Sequence, residues 1–396
     1  MKIGLITGEF PPMEGGVGAF TQELARAFHK EGHDVHVISS RSARPESAEL
    51  SFRSRNDPIQ LDFAYLHPRI ERWRWPSTAT IVDIVVRYEL EFIDIQFQAA
   101  AYNMNSAAVN LLPWRLKGIT KTIVTFHDLR VPYLFPKAGK LRRKAVNFMA
   151  RHADGIITTN YSDYAKLEPE LNIPLAQIPI GSNISPYTPN HIEVAEARQQ
   201  LGLNDNVFLL GYFGFLNESK GADTLLESLS QLDQRYHLVF IGGQTGASDT
   251  TNAKFLEQIR GLIAELGVSE RVHWTGFLSD VRVSAFLHAA DLMVMPYRDG
   301  VSLRRGTLMA VLAHGRPLIT TAPSEPTPEL DHGNNIWLIP ARDSEALTAV
   351  VQTLANDPLL RNRIGQRAQQ IAALFEWDTI AAQTIAFFES IQNRDR

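Results

Sequence analysis

The chain has 396 residues, of which 44% are apolar and 21% are charged, a length and composition typical of two compact globular units. The formal net charge of -4 offers no overall attraction for nucleic acid, so no nucleic-acid partner is expected. The absence of cysteine excludes disulfides, thiolate nucleophiles and cysteine-based zinc sites. We see no secretory leader and no apolar run of membrane-spanning length, and therefore expect a cytoplasmic protein.

The first forty residues predict a strand, a loop rich in Gly and Pro, a helix and a second strand. These four elements cover residues 2–7, 8–18, 20–30 and 34–39. Together they form one βαβ unit of a parallel sheet. Further runs typical of buried strands occur at residues 92–96, 122–126 and 155–159, with enough chain between them for helices.

A Pro-rich stretch at residues 173–186 shows no helical or strand periodicity and predicts an interdomain linker. Strand and helix patterns alternate again beyond it, which indicates a second doubly wound sheet. The predicted strands are 207–213, 237–241, 271–274, 292–295, 317–320 and 336–339. Three helices follow at 344–356, 358–375 and 378–392, with Asp378 as the expected cap of the last one.

The first candidate motif is the glycine-rich loop that includes Gly15, Gly16 and Gly18, between the first strand and the first helix. Glycines there allow a ligand to approach the backbone, and the helix presents free N–H groups to a phosphate. A tight turn that needs glycine for its conformation explains the same residues equally well. The dinucleotide fingerprint G-x-G-x-x-G is not matched, which argues against an oxidoreductase.

The second candidate is the segment from Gly211 to Gly221, which follows the first strand of the second unit. It places Lys220 at the start of a helix predicted from Ala222, so an ammonium group and a helix N-terminus would both face one anion. A solvated lysine is the alternative. A cation at this end of a helix is unfavourable without an anion, and this favours an anion site.

The third candidate follows the predicted strand 292–295. Gly300, Ser302 and Gly306 form a loop that brings Thr307 to a helix N-terminus, and Arg304 and Arg305 add two guanidinium groups able to bind phosphate oxygens. A solvated arginine pair is the alternative interpretation.

The fourth candidate is the sequence TFHD at the carboxyl end of a central strand, where open α/β sheets bind ligands. His127 could bind a sugar hydroxyl or move a proton near neutral pH. The alternative interpretation is that Asp128 bonds to the backbone of the loop instead.

Taken in order, these motifs resemble the retaining, family-4-type glycosyltransferases of the GT-B fold over nearly the whole chain. The resemblance also includes the segments ADGIITTNYSD, VHWTGFLSD, AADLMVMPY and AVLAHGRPLITT. It implies two Rossmann-like doubly wound domains that face a central cleft. It further implies transfer of a sugar with retention of anomeric configuration and without a metal, because cationic side chains and helix dipoles stabilise the leaving diphosphate.

The resemblance also assigns roles to individual residues. Gly16 would contact the donor diphosphate, His127 the donor sugar, and Lys220 the diphosphate. The segment from Gly276 to Asp280 would form the nucleobase wall, with Leu278 contributing its backbone and Asp280 its carboxylate. With Ser302 at the position of a sugar-contacting residue, the expected catalytic set is His127, Lys220 and Ser302.

Two departures from the family pattern affect the donor site. The family usually has an arginine after the glycine that matches Gly214, but this chain has Phe215. It also usually has two glutamates spaced E-x7-E, and Ser302 and Ala310 occupy these positions here. Arg304 and Arg305 could supply the missing positive charge, while Glu218 and Asp299 are nearby carboxylates that could serve the sugar or the ribose. The resulting donor-binding set is Gly15, Gly16, Gly214, Phe215, Lys220, Gly276, Leu278, Asp280, Arg304, Arg305, Gly306 and Thr307.

We therefore expect an acceptor domain at residues 1–182, a donor domain at 183–376 and a final helix, 377–396, that packs back on the first domain. The co-substrate would be a UDP-, GDP- or ADP-linked sugar, and no other cofactor or metal is expected. The acceptor could be a carbohydrate, a lipid-linked molecule or a small molecule. Basic residues at 137–151 could contact the inner face of a membrane or form a solvated helix face. A catalytically silent binding protein and a UDP-sugar epimerase remain alternatives.

Overall fold

The computed structural model describes residues 1–13, 15–45, 57–102, 104, 106–129, 141–182, 184, 186–204, 206–243 and 250–395. The chain divides into two compact units. Unit 1 comprises Met1–Gly181 together with Trp377–Arg396, and unit 2 comprises Ser182–Glu376.

Unit 1 is a sheet flanked by helices, as the alternating strand and helix patterns predict. Its strands are β1 (Lys2–Ile6), β2 (Asp34–Ser40), β3 (Ile59–Gln60), β4 (Tyr65–Ile70), β5 (Phe92–Phe97), β6 (Lys121–Phe126), β7 (Gly155–Thr158) and β8 (Leu175–Gln177). Its first helices are α1 (Gly16–Lys30), α2 (Ser77–Tyr88), α3 (Leu112–Leu116), α4 (Leu141–His152) and α5 (Tyr161–Leu167). The strand order among the described residues is β3-β4-β2-β1-β5-β6-β7-β8. All neighbours are parallel except β3 and β4.

Unit 2 has the same organisation. Its helices are α6 (His191–Gln200), α7 (Ala222–Gln231), α8 (Thr250–Glu265), α9 (Asp280–Ala289), α10 (Gly306–Ala313), α11 (Ser344–Asn356) and α12 (Pro358–Ala372). Its strands are β9 (Phe208–Phe213), β10 (Tyr236–Ile241), β11 (Val272–Trp274), β12 (Leu292–Met295), β13 (Leu318–Thr321) and β14 (Trp337–Ile339). Their order in the sheet is β11-β10-β9-β12-β13-β14, the doubly wound order of dinucleotide-binding folds.

This strand order determines where a ligand can bind. The chain winds to opposite sides of the sheet from β1 and β5 in unit 1, and from β9 and β12 in unit 2. Loops diverge at these switch points and leave a crevice at the carboxyl ends of the strands. The candidate motifs follow β1 and β6 in unit 1, and β9 and β12 in unit 2.

The last helix, α13 (Trp377–Gln392), completes the core of unit 1. The ring of Phe388 is fully buried and stacks on Phe92 of β5, with ring centroids 5.1 Å apart. The indole of Trp377 packs so closely on Gly181 that a Cβ atom at Gly181 would lie 2.6 Å from the ring. The burial of this apolar face explains why α13 remains docked on α1 and the sheet.

Three sequence expectations are wrong in detail. The stretch predicted as an irregular linker contains β8, which pairs in parallel with β7. Asp378 does not cap α13, because the helix begins one residue earlier, at Trp377. The third expectation was that no apolar run reaches membrane-spanning length. In the described part of the chain, one helical segment, Pro358–Gln392, has the length and hydropathy of a membrane span. That segment consists of α12 and α13, whose apolar faces are buried in the cores of different units.

A histidine pair occupies equivalent places in the two sheets. His36 Nδ1 of β2 lies 2.9 Å from His67 Nε2 of β4, and His237 Nδ1 of β10 lies 2.9 Å from His273 Nε2 of β11. In both pairs the second histidine is opposite the residue two positions beyond the first. Burial lowers the pKa of His36 and lowers that of His67 to about 3. The pair in unit 1 is therefore neutral at physiological pH.

Candidate active site

The glycine-rich loop after β1 is closed by a residue that the sequence motif did not include. One carboxylate oxygen of Glu9 accepts hydrogen bonds from the backbone N–H groups of Val17 (3.1 Å) and Gly18 (3.3 Å) at the start of α1. A Cβ atom at Gly15 would overlap this carboxylate. The sequence predicted free backbone N–H groups at the start of α1, but Glu9 occupies those of Val17 and Gly18. Gly16 is exposed, and no atom lies within 4 Å of the position of a Cβ added to it.

His127 follows β6 and is half-buried in unit 1. Its Nε2 atom lies 2.9 Å from Oε1 of Gln96. The ring of Phe20 from α1 contacts it edge-on, with centroids 4.7 Å apart. Burial lowers the pKa of His127 to about 3, so the imidazole is neutral and suited to hydrogen bonding rather than to donating a proton from a charged form. Gln98 donates a hydrogen bond to Asp128 at 3.2 Å.

Lys220 is the central cation of the site in unit 2. Its Nζ donates a hydrogen bond of 2.8 Å to the backbone oxygen of Phe215. It also faces Gly214, where an added Cβ would lie 3.2 Å from Nζ and 2.7 Å from the methyl group of Thr307. Gly214 therefore has to be glycine for this approach, and its φ of 103° favours glycine as well. The structure brings together Gly214, Lys220 and Thr307, which the sequence placed on two different loops.

The turn after Lys220 depends on a second glycine. Gly221 has a φ of 70°, and a Cβ atom there would lie 2.0 Å from the backbone oxygen of Pro296. The loops after β9 and β12 are in contact at this point. The Arg298 N–H donates a hydrogen bond of 2.8 Å to the backbone oxygen of Ser219.

Arg305 supplies the second cation. Its guanidinium lies 4.0 Å from the ring centroid of Tyr297 and donates a 2.5 Å hydrogen bond to Asp299. Burial, followed by repulsion from Arg305, lowers the pKa of Lys220 to about 8. The charge of Arg305 therefore acts on Lys220 near the N-terminus of α10, and an anion bound beside Lys220 would favour its charged form.

The carboxylates expected to replace the family glutamates are held by arginines. Asp299 binds Arg305, and Glu218 accepts a 2.5 Å hydrogen bond from Arg298. Arg298 also forms an ion pair with Asp223 of α7. These carboxylates balance charge within the two loops.

The loop before α10 holds two further residues of the predicted site. Ser302 and Arg304 are half-buried in the loop before α10, where Ser302 Oγ accepts a 3.4 Å hydrogen bond from the Arg304 N–H. Ala310 is fully buried in the core, so a glutamate at this position would place its carboxylate among apolar side chains.

The predicted nucleobase wall lies at the end of β11. Gly276 pairs with Gly242 after β10, and Leu278 packs against the core of unit 2. Asp280 is exposed and begins α9. Phe215, which replaces the expected arginine, is 45% exposed, and its ring lies against Gly243.

The basic segment 137–151 is described only in part. Lys137 and Lys140 lie outside the described residues, as does the side chain of Arg142, whereas Arg143 and Lys144 are exposed on α4. Within the described part of the chain, no group of three or more His, Cys, Asp or Glu side chains could hold a metal ion.

Sequence reasoning missed Glu9, Gln96 and Arg298. Glu9 lies outside the glycine motif and returns to it only through the fold of the loop. Gln96 is part of a strand that reads as core, and Arg298 is separated from its partners by 75 or more residues. One signal in the sequence could have identified Gln96 as a site residue: it lies at the carboxyl end of a central strand, where open α/β sheets bind ligands.

Comparison with known proteins agrees with this geometry. Residues 14–183 match the family model Glycosyltransferase Family 4, and residues 193–371 match Glycosyl transferases group 1. The D-inositol 3-phosphate glycosyltransferase of Corynebacterium urealyticum is 25% identical, over 99% of this chain and 96% of the relative. The GDP-mannose-dependent alpha-(1-6)-phosphatidylinositol monomannoside mannosyltransferase of Mycobacterium tuberculosis is 22% identical, over 98% and 97%.

The structure of HepE from Anabaena in complex with UDP and glucose superposes with a TM-score of 0.74 at 19% identity, and the match covers 98% of this chain and 100% of HepE. At this identity the superposition establishes the fold. With two doubly wound units, a cationic site in unit 2 and matches to both family models, the chain belongs to the GT-B glycosyltransferases of the family-4 type. It is thus a transferase that acts on sugars.

Proposed function

We propose that the protein transfers a hexose from a nucleoside diphosphate sugar to a hydroxyl group of the acceptor, with retention of anomeric configuration. Unit 2 would bind the donor and unit 1 the acceptor. The observation that supports this proposal most strongly is the pair of cations, Lys220 and Arg305, beside the N-terminus of α10. Such a cluster suits a diphosphate, whose negative charge grows as the bond to the sugar breaks.

Donor binding would use residues from both loops of unit 2. Lys220, Arg304 and Arg305 would neutralise the diphosphate, and the α10 N-terminus at Gly306 and Thr307 would donate backbone hydrogen bonds to it. Ser302 would contact the sugar. Asp280 could accept hydrogen bonds from guanine, and the mycobacterial relative is named as GDP-mannose-dependent. GDP-mannose and UDP-glucose are therefore the first donors to test.

The acceptor is proposed from the chemistry of the relatives, which are named for inositol 3-phosphate and for a phosphatidylinositol mannoside. A hydroxylated ring that carries a phosphate is the class to test first, either free or linked to lipid. We place the reaction in the cytoplasm, with the exposed Arg143 and Lys144 of α4 as a candidate contact with the inner face of an anionic membrane.

Calorimetry with UDP, GDP and ADP, followed by turnover of the matching sugar donors, tests the proposal. We expect one nucleotide to bind and its sugar to be transferred, and the anomeric configuration of the product can be read by NMR. Failure of all three nucleotides to bind would refute the donor site, and an inverted product would refute retention.

A catalytically silent binding protein is the second candidate, because Ser302 and the buried Ala310 replace both glutamates of the family pattern. It would bind nucleotide and transfer no sugar to any acceptor. A UDP-sugar epimerase fits less well, because Glu218 and Asp299 are already paired with arginines.

A further inference from the structure

A chain of hydrogen bonds in unit 1 leads from a buried carboxylate to His127. Gln96 Nε2 donates to Asp94 Oδ2 at 2.7 Å, and Gln96 Oε1 lies 2.9 Å from His127 Nε2. Thr125 Oγ1 donates to both oxygens of Asp94, at 2.8 and 3.0 Å. Asp94 and Gln96 are both fully buried, so their orientation depends on one another and not on water.

The backbone explains why these groups meet. Asp94 and Gln96 occupy alternate positions of β5 and therefore point to the same face of the sheet. Thr125 is directly opposite Gln96 on the parallel strand β6. The His127 N–H continues the pairing with a 3.0 Å bond to the backbone oxygen of Phe97. The imidazole is thus fixed at the carboxyl end of the sheet, where ligands bind in this fold.

The direction of each hydrogen bond follows from which groups can donate. An ionised carboxylate only accepts, so Gln96 must turn its NH2 group toward Asp94. The carbonyl oxygen of Gln96 then faces His127 and needs a donor, which only a hydrogen on Nε2 can supply. With Nε2 protonated and the ring neutral, Nδ1 keeps its lone pair. Among the described residues, Nδ1 has no hydrogen-bond partner.

We propose that Asp94 and Gln96 are positioning residues that hold His127 as the Nε2–H tautomer, so that Nδ1 accepts a hydrogen bond from a hydroxyl group of the bound substrate. A lone pair at Nδ1 attracts a hydroxyl and repels phosphate or carboxylate oxygens. His127 therefore selects the sugar-like part of a ligand and not its anionic part. The assignment of that hydroxyl to a sugar substrate rests on the proposed function, whereas the tautomer does not.

Burial raises the pKa of Asp94 to about 7, while hydrogen bonds from Thr125 and Gln96 work against that rise. A measurement at pH 8 therefore examines the protein with Asp94 largely ionised. Burial also holds the pKa of His127 at about 3, so protonation of the ring does not complicate the tautomer at this pH.

The test is the tautomer of His127 in the full-length protein, labelled with 15N-histidine and examined by long-range proton–nitrogen correlation NMR. His127→Gln identifies its signals among the twelve histidines. We expect a protonated Nε2 and an unprotonated Nδ1 in the unmodified protein. A protonated Nδ1 would overturn the proposal, and the tautomer itself is read in the unmodified protein.

Two variants separate positioning from packing. Gln96→Met keeps the length of the side chain and removes both hydrogen bonds, so the His127 signals should shift toward a mixture of tautomers. Gln98→Met is the matched control, because Gln98 binds Asp128 and not His127, and it should leave the His127 signals unchanged. Equal tautomer populations in Gln96→Met and the unmodified protein would refute the role of Gln96.

Activity provides the second readout. Loss of one oriented hydrogen bond should lower kcat/KM of Gln96→Met about tenfold, while its affinity for nucleotide, measured at unit 2, should not change. Unchanged kcat/KM would show that Nδ1 binds no group in the reaction. If no nucleotide binds to any form but His127 is the Nε2–H tautomer, the proposed function fails and the positioning inference stands.

Discussion

Replacing Lys220 by methionine should weaken nucleoside diphosphate binding and leave unit 2 folded. Methionine keeps most of the length of the side chain over Gly214 and removes the charge. One charge-assisted hydrogen bond contributes about 1.5 to 3 kcal/mol, which corresponds to roughly a 10- to 150-fold increase in Kd. Lys220 is half-buried in the free protein, and burial is the main cause of its lowered pKa, so part of the desolvation cost of binding is already met in the fold.

The pH dependence of binding gives a sharper signature. The pKa of Lys220 in the folded protein is about 8, compared with an ordinary value of 10.5, so the charge is present below pH 8 and is lost above it. A bound diphosphate favours the charged form and raises this pKa. Affinity should therefore fall as the pH rises above about 8, by up to about tenfold per pH unit, until the pKa of the bound form is reached.

Isothermal titration calorimetry with the preferred nucleotide at pH 7, 8 and 9 measures both effects. Lys254→Met is the matched control, because Lys254 is exposed on α8. We expect Lys220→Met to bind weakly at every pH and the control to follow the unmodified protein. If Lys220→Met binds as tightly as the unmodified protein, or if the decline above pH 8 persists in it, Lys220 does not bind the diphosphate.

Three further predictions concern the rest of the molecule. The double variant with Arg304→Ala and Arg305→Ala should lower kcat more than it raises KM, because charge on the diphosphate grows in the transition state. Wild-type turnover of this variant would refute the idea that the two arginines replace the arginine missing at Phe215. The pKa of His67 is lowered, so stability should fall as the pH drops from about 6.5 toward 3. The free energy of unfolding, measured by denaturant melts at several pH values, should fall less steeply with decreasing pH in His67→Phe than in the control His191→Asn. An equal dependence on pH in the two variants would contradict this. Turnover should survive EDTA, and a loss that magnesium or manganese restores would contradict a metal-independent reaction.

The strand and helix patterns predicted most of the fold because each doubly wound unit buries its strands and exposes one face of its helices. The short β8 escaped detection since three residues beside several prolines carry too little periodicity. Within the candidate site, Lys220 and Thr307 were predicted to serve the same ligand, and the structure places both beside Gly214. Whether they bind a donor stays a prediction.

The hydrogen bonds of unit 1 could not be predicted in this way. The sequence FIDIQF predicts a buried strand, and Asp94 and Gln96 are indeed buried, because β5 lies in the middle of the sheet. A strand pattern does not show which groups the two buried polar side chains bind. Only the tertiary structure shows that their partners are Thr125 and His127. Glu9 escaped notice for a similar reason, since its partners lie beyond a loop.

The packing of Trp377 against Gly181 bears on how the protein is made. Unit 1 begins at the N-terminus, but its core is completed by α13, which the ribosome produces only after all of unit 2. At about 5 to 20 residues per second, some 10 to 40 s separate the two parts of unit 1. Unit 2 is continuous in sequence and can fold first. During that interval the apolar surface around Phe92 that later receives Phe388 is uncovered, which makes it a candidate binding site for chaperones on the nascent chain.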